Sequence, residues 1–212
     1  VIVEADWIIG EFLKTLEEEG LLENTLIVFS SDNGPVLNDG YYDDAVEKLG
    51  KHTPAGVLRG GKYSLYEAGT HVPFITSWKG TIKPGVSDAL VCQMDLLSSA
   101  AKLVGSDIRV SDSKDILNAF LGRSKEGRED LVLEAQGRTA YRNGNWAMIP
   151  PYKGPAVNKQ VNIELGNSKN YQLYNLKADP SQQNNLADSN KEKLEKMKAN
   201  FLAIRGIQKE KI

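Results

Sequence analysis

Cysteine, basic charge and long apolar runs are all scarce in this sequence, and each scarcity excludes a class of protein. The single cysteine, Cys92, rules out an internal disulfide and therefore a disulfide-stabilised scaffold. A formal net charge of -2 lacks the basic surplus that general nucleic-acid binding requires, so we expect no nucleic-acid partner. No run approaches the roughly 18 apolar residues of a membrane-spanning helix, so we expect no membrane span.

The first residues carry no targeting signal. The chain begins VIVEADWIIG, without Met and without the basic, apolar and small-residue regions of a signal peptide. Its 212 residues suffice for one large domain, or for a medium domain with a small appendage. We therefore expect a fragment of a longer protein.

The first half of the chain has the hydrophobic pattern of an α/β fold. Apolar residues recur at helical spacing over residues 5–19 and again over residues 94–104. The unbroken apolar runs at 25–30 and 72–77 are typical of strands buried on both faces, as in parallel sheets. Between them, residues 38–61 are rich in Gly, Asp and Pro and predict a long loop, which is usually functional inside a domain.

The second half has the pattern of an antiparallel sheet with a closing helix. A short helix is predicted at 114–121, and Asn143-Gly144 is a strong hairpin signal. The segment YQLYNL predicts a further strand. The final helix has apolar residues at three- and four-residue steps, namely Leu194, Met197, Phe201 and Ile204. We place the domain boundary between residues 1–106, the α/β core, and residues 107–212, the antiparallel subdomain.

An acid–amide pair follows the first predicted strand, in the stretch TLIVFSSDNG. Asp32, Asn33 and Gly34 suit a simple turn, because Asn and Gly tolerate positive φ. They also suit a calcium or magnesium site, because hard cations bind carboxylate and amide oxygens. In open α/β sheets, ligands bind beyond the carboxyl ends of strands, where this pair falls. Two oxygens cannot hold such an ion alone, so both interpretations stay open at this point.

A glycine-flanked lysine occurs in the stretch GVLRGGKYSLYEAGTHVP. The run from Gly56 to Lys62 nearly matches a nucleotide-binding phosphate loop, but Tyr63 replaces the hydroxyl residue that binds magnesium. No buried strand precedes it, so we do not expect nucleotide binding. Lys62, with Arg59 nearby, could instead present positive charge to a tetrahedral oxyanion.

The chain has two histidines, His52 and His71. His52 lies in the polar loop between the acid–amide pair and Lys62, which makes it a candidate site residue. His71 directly precedes a predicted strand, and we expect it to be structural.

Four blocks in order resemble the C-terminal half of a sulfatase of the arylsulfatase type, and they cover nearly the whole chain. The blocks are LEEEGLLENTLIVFSSDNGP, LRGGKYSLYEAGTHVPFI, QMDLLSSAAKLVG and YQLYNLKADPSQQNNLAD. The resemblance implies part of an alkaline-phosphatase-like mixed sheet with flanking helices, followed by a small antiparallel sheet packed with a C-terminal helix. It also implies a sulfuric ester hydrolase acting on aryl or carbohydrate sulfates.

The resemblance implies roles for particular residues. Asp32 and Asn33 would be two ligands of the active-site divalent cation, usually Ca²⁺, with Mg²⁺ as the alternative. Lys62 would contact the sulfate group and act in catalysis, with His52 and Arg59 as further substrate-binding candidates. Ala68 and His71 depart mildly from the family pattern, which has Gly and Arg there.

The nucleophile of the family is not in this chain. Sulfatases use a formylglycine made from a C/S-x-P-x-R motif, and no such motif occurs in these residues. We expect the missing N-terminal half of the same protein to supply it, so the chain alone should be inactive. The family also implies a periplasmic, secreted or lysosomal location. Two alternatives stay open, namely a related phosphodiesterase or phosphonate hydrolase of the superfamily, and a non-catalytic carbohydrate-binding domain.

Overall fold

The computed structural model describes residues 2–108 and 110–206, which form two compact units. One unit comprises residues 2–30 and 73–128, and the other comprises residues 31–72 and 129–206. The units interleave along the chain, and the division into domains 1–106 and 107–212 stays a prediction. Among the described residues, no helix is both long and apolar enough to cross a membrane.

Within the described residues, the first unit contains three α-helices, a 3-10 turn at Leu22–Asn24 and a pair of strands. In chain order the α-helices and strands are α1 (Ile2–Glu18), β1 (Ile27–Ser30), β2 (Phe74–Ser77), α2 (Asp95–Leu103) and α3 (Leu117–Phe120). All of these elements were predicted from the hydrophobic pattern, with ends that differ by at most three residues. The strands pair with Ile27 opposite Ser77 and Ser30 opposite Phe74. The side chain of Thr76 ties β2 to α3 by donating to the carbonyl of Phe120 at 2.6 Å.

The expectation that β1 and β2 are buried on both faces is wrong for this structure. They run antiparallel, and they are the only two strands of their sheet within the described residues. With no further strand on either side within the described residues, Phe29 is 37% exposed and Ile75 57% exposed. The unbroken apolar runs therefore mark strands whose surface is not fully covered here.

A buried ion pair fixes the start of α2. Asp95 was predicted near the start of this helix, and it lies in the first turn, fully buried. Its carboxylate accepts hydrogen bonds from Arg128 Nε at 2.7 Å and Nη2 at 2.6 Å, and from the Lys114 amide at 2.8 Å. A buried carboxylate is stable only when it is paired and hydrogen-bonded in this way.

The second unit is built on a four-stranded antiparallel sheet, as predicted. Its strands are ordered β3 (Asp130–Ala135), β4 (Arg138–Asn143), β5 (Trp146–Ile149) and β8 (Gln172–Asn175). A separate two-stranded ribbon is formed by β6 (Val157–Asn158) and β7 (Ile163–Glu164). The last helix is α4 (Lys191–Ile204).

Two tight hairpins join the first three strands of this sheet. The β3–β4 turn contains Gln136 at φ 54° and Gly137 at φ 73°, the two left-handed residues of a type I′ turn. The predicted hairpin at Asn143-Gly144 is confirmed, although Asn143 is the last strand residue and pairs with Trp146. The turn itself is therefore Gly144-Asn145, one residue later than predicted.

The two faces of the sheet bury different partners. On one face, α4 packs through Leu194, Met197 and Phe201 against the fully buried Tyr141 and Met148. Ile204, predicted to share that stripe, is 50% exposed because it lies in the last turn of the helix.

The other face covers the segment that carries Lys62. There Leu65 and Tyr66 pack against Ile149, Tyr174 and Leu176. The four-stranded sheet is thus the support on which the candidate site is built.

Candidate functional site

The acid–amide turn is fixed by a very close backbone approach at Gly34. The Gly34 amide donates to the Gly69 carbonyl at 2.9 Å, and Gly34 itself is buried. A Cβ at this position would lie 1.6 Å from the carbonyl oxygen of Ala68. Only glycine fits, so Asp32 and Asn33 are held against the 3-10 helix Glu67–Gly69.

The same turn also adjoins the lysine segment. The Lys62 amide donates to the Pro35 carbonyl at 2.9 Å, and a Cβ at Gly61 would lie 2.6 Å from that oxygen. The backbone therefore brings together two segments that lie some thirty positions apart in sequence. This arrangement places Lys62 beside the turn that carries Asp32 and Asn33.

The donor set of the turn suits part of a hard-cation site. Asn33 Nδ2 donates to the Gly34 carbonyl at 2.9 Å, and within the described residues no hydrogen bond reaches its Oδ1. The Asp32 carboxylate is exposed, with Ser31 Oγ at 3.5 Å from its Oδ1. Two oxygens of this kind fit calcium or magnesium, which take six or more oxygen ligands. Among the described residues, no group of three or more His, Cys, Asp or Glu side chains completes a metal site.

The ammonium group of Lys62 is available for a ligand. Within the described part of the chain it has no hydrogen bond or ion pair, and its recorded contact is with the Tyr63 ring, whose centroid lies 5.5 Å from Nζ. Lys62 is half-buried, and its backbone is fixed by the hydrogen bond to Pro35. A fixed, unpaired cation on a rigid segment is suited to binding an oxyanion.

Arg59 has structural partners for its whole guanidinium group. It forms a bidentate pair with Glu164, at 2.8 Å from Nε and 2.6 Å from Nη2, and donates to the Gln182 carbonyl at 2.8 Å. Its guanidinium also lies 4.1 Å from the centroid of the Tyr66 ring. The hydrogen bond between the pair raises the pKa of Arg59 and lowers the pKa of Glu164 below its ordinary 4.5. A substrate-binding role for Arg59 stays a prediction. Its observed contacts join the lysine segment to β7 and to Gln182.

His52 is exposed in the long loop. Its amide donates to the Leu49 carbonyl at 3.2 Å, and within the described residues its imidazole has no partner. No contact joins it to the acid–amide turn or to Lys62 in the part of the chain that the structure describes. Its assignment as a substrate-binding residue stays a prediction.

A buried carboxylate that the sequence analysis did not single out lies in the 3-10 helix next to the acid–amide turn. Glu67 is 5% exposed, and its Oε2 accepts a hydrogen bond from Arg142 at 2.7 Å and lies 3.0 Å from His71 Nδ1. The Glu67 amide donates to the side-chain oxygen of Gln182 at 2.7 Å. The expected structural role of His71 agrees with this contact. Its partners Arg142 and Gln182 are distant in sequence, so local patterns could not predict these contacts. Only Glu67 itself falls in a block that resembles the family.

Comparisons with known proteins all match sulfatases. The sulfatase family profile matches residues 1–106. The chain is 44% identical over 196 residues to an N-acetylgalactosamine-6-O-sulfatase of Bacteroides thetaiotaomicron, an alignment that covers 91% of this chain and 38% of that protein. It is 31% identical over 153 residues to human arylsulfatase A, covering 68% of this chain and 28% of that one. The chain thus spans well under half the length of these relatives.

Structural comparison agrees. A solved structure from work on the metabolism of multiple glycosaminoglycans by Bacteroides thetaiotaomicron superposes with a TM-score of 0.92 and 41% identity, over 97% of this chain and 44% of that chain. The mixed α/β fold with antiparallel sheets and flanking helices, predicted from the sequence, matches the fold of this solved structure. This chain belongs to the sulfatase family.

Proposed function

We propose that the protein containing this chain hydrolyses sulfate esters of glycans, releasing inorganic sulfate and the free sugar hydroxyl. The proposed substrate class is 6-O-sulfated N-acetylgalactosamine, and its support is the 44% identity to a sulfatase of that name. The observation that carries the proposal is the hydrogen bond from the Lys62 amide to the Pro35 carbonyl, which joins the backbone of the lysine segment to the turn that carries Asp32 and Asn33.

The chain's own contribution is anion binding and charge stabilisation. Lys62 would bind the sulfate oxygens and oppose the negative charge that develops as the sulfur–oxygen ester bond breaks. A fixed cation of this kind typically contributes about 3 kcal/mol to transition-state stabilisation. Rigid backbone around Lys62 matters, because a cation that need not be reoriented during the reaction stabilises charge more effectively.

Asp32 and Asn33 would supply two of the ligands of a divalent cation, with calcium as the first choice and magnesium as the second. When bound, such an ion acts as a Lewis acid toward sulfate oxygens. Asn33 suits this role because its amide nitrogen is held by the Gly34 carbonyl, which orients Oδ1 as the ligand atom.

The reacting nucleophile belongs, in this proposal, to residues outside these 212, as a formylglycine. The 212-residue chain alone is then expected to release no sulfate. We also propose that the full-length protein works in an exported or lysosomal compartment, as the family resemblance implies.

The test is hydrolysis by the full-length protein. We expect it to release sulfate from N-acetylgalactosamine 6-sulfate, to be inactivated by a chelator, and to recover on addition of calcium. The Lys62→Ala variant should lose about 100-fold or more in kcat/KM, because it lacks the cation that binds the ester. Its melting temperature should be unchanged, because the ammonium has no protein partner among the described residues.

Lys51→Ala is the matched control, since Lys51 is an exposed lysine of the neighbouring loop. It should leave kcat/KM within about twofold of the native value. Unchanged kinetics in Lys62→Ala would remove this residue from the site. Hydrolysis of phosphate diesters in preference to sulfate esters would replace the proposal with the related hydrolase activity.

A further inference from the structure

The residue after Lys62 adopts a backbone conformation that its side chain disfavours. Tyr63 has φ 77°, and the Ser64 amide donates to the Gly61 carbonyl at 3.0 Å, which closes a turn with Tyr63 at its third position. A turn with positive φ at that position normally takes Gly or Asn. Among the described residues, five that are not glycine have positive φ, and Tyr63 is the one aromatic: Asp44, Tyr63, Gln136, Asn162 and Gln182.

The surrounding structure holds this strained turn from both sides. Arg138 Nη2 donates to the Tyr63 carbonyl at 2.8 Å, while its Nη1 donates to Asn167 Oδ1 at 2.6 Å and to the Leu165 carbonyl at 3.3 Å. The Ser64 hydroxyl donates to the Glu164 carbonyl at 2.6 Å. Backbone strain of this kind persists only where neighbouring contacts over-determine the conformation, and it concentrates at functional sites.

Core packing does not explain why the side chain is a tyrosine. Tyr63 is half-buried and belongs to neither hydrophobic cluster of the second unit. Its hydroxyl has no hydrogen-bond partner in the part of the chain that the structure describes. The recorded contact of its ring is with the Lys62 ammonium, 5.5 Å from the ring centroid.

We propose that Tyr63 is a positioning residue for Lys62. The left-handed turn sets the ring against the ammonium, so that the ring limits the rotamers of Lys62 and removes water from one side of the cation. The ammonium is then ordered before an oxyanion arrives, and binding does not have to order it. This inference rests on the proposed role of Lys62 in sulfate binding, and it adds a residue that determines the strength of that binding.

The test compares Tyr63→Asn and Tyr63→Phe in the full-length protein, with inorganic sulfate as the probe. Asn accepts the left-handed conformation and removes the ring. We expect the sulfate inhibition constant and the KM for the ester to rise together by about two- to fivefold, with kcat less affected. The melting temperature should be unchanged or raised by about 2 °C, since strain is relieved. Tyr63→Phe should restore the lost affinity, because it keeps the ring.

Gln136→Gly is the matched control, because Gln136 is also left-handed but lies in the β3–β4 hairpin. It should match Tyr63→Asn in thermal stability and leave sulfate inhibition at the native value. An unchanged inhibition constant in Tyr63→Asn overturns the proposal. A melting temperature lowered by more than about 4 °C in both Tyr63→Asn and Tyr63→Gly also overturns it, because the ring would then be structural.

Failure of the proposed function is separable from failure of this inference. If the native full-length protein hydrolyses no sulfate ester, calorimetric titration with inorganic sulfate replaces the kinetic measurement. Weaker sulfate binding by Tyr63→Asn than by the native protein would then support the positioning role without any sulfatase activity. Equal sulfate binding by the two proteins would overturn it.

Discussion

At the scale of single residues, Gly34 decides whether the candidate site can form. We expect Gly34→Ala to destabilise the chain by about 3 kcal/mol, at the upper end for overpacking, because the added methyl group meets backbone atoms that cannot rotate away. The clashing atom is the Ala68 carbonyl oxygen, 1.6 Å from the position of the new Cβ. Urea unfolding of the two proteins measures the difference.

Gly85→Ala is the control for this change, because a Cβ at Gly85 meets no atom within 4 Å. It should alter the free energy of unfolding by less than about 0.5 kcal/mol. Equal stability of Gly34→Ala and the native chain would show that the turn is not held as described.

Single residues also show what the sequence can and cannot predict about a site. Asp32, Asn33 and Lys62 were identified because their residue types match a known chemistry and a family block. The substrate-binding role of Arg59 stays a prediction, and its contact with Glu164, 105 positions away, is one that no local pattern indicates. The Tyr63 carbonyl likewise accepts a hydrogen bond from Arg138 of β4, which no local pattern indicates.

At the scale of elements, the Arg59–Glu164 pair attaches the lysine segment to β7. The hydrogen bond from Arg59 lowers the pKa of Glu164, so the native state favours the ionised carboxyl. The pair therefore stabilises the fold above the ordinary pKa of 4.5, and this stability is lost as the pH falls through the lower, native-state value.

We expect Glu164→Gln to lower the free energy of unfolding at pH 7 by about 1 kcal/mol, a modest figure because the carboxylate is 45% exposed and screened by solvent. The difference from the native chain should shrink as the pH falls from about 4.5 toward 3. Urea unfolding at pH 7 and pH 3 measures it. A difference that is the same at both values would contradict the assignment.

Substitution in the buried ion pair at the start of α2 should lower stability more than substitution of Glu164. Asp95 and Arg128 have side chains that are 0% and 7% exposed, so Asp95→Asn leaves a buried guanidinium without its carboxylate. We expect a loss of about 3 kcal/mol in the free energy of unfolding. Asp88→Asn, at an exposed position, is the control and should change stability by less than about 0.5 kcal/mol.

The elements themselves were largely predictable, and their partners were not. The stripe of Leu194, Met197 and Phe201 predicted α4 correctly, because helical periodicity is local information. The runs that became β1 and β2 were also found, but their antiparallel pairing depends on which strands are present. Periodicity contains no information about that choice.

At the scale of the whole molecule, helix α1 exposes several large apolar side chains. None of its described residues is buried, and Val3, Trp7 and Phe12 are 83%, 65% and 69% exposed. Several large apolar side chains exposed on one helix are typical of a surface that another segment covers. We propose that residues of the full-length protein outside this chain cover it, since the chain spans 38% of its Bacteroides relative.

The isolated 212-residue chain should therefore self-associate. We expect sedimentation velocity to show a concentration-dependent increase in mass, and the Trp7→Glu, Phe12→Glu double variant to sediment as a monomer. The control is Tyr41→Glu with Tyr42→Glu, two exposed aromatic residues outside the helix, which should leave association unchanged. A native chain that stays monomeric at all concentrations would contradict the expectation that the exposed apolar side chains of α1 drive self-association.

The hydrogen bond between the Lys62 amide and the Pro35 carbonyl also makes much of the intervening loop replaceable, provided that Arg59, Gly60 and Gly61 are kept for their contacts. Both ends of residues 36–61 are anchored at one point, so insertions there need not displace the charged groups that flank them. Loop-closure entropy grows only slowly with length, by about 0.6 kcal/mol for each doubling. If the proposed function holds, grafting residues 36–58 from sulfatases with other preferences should alter the selectivity for the sugar and leave the backbone around Lys62 unchanged.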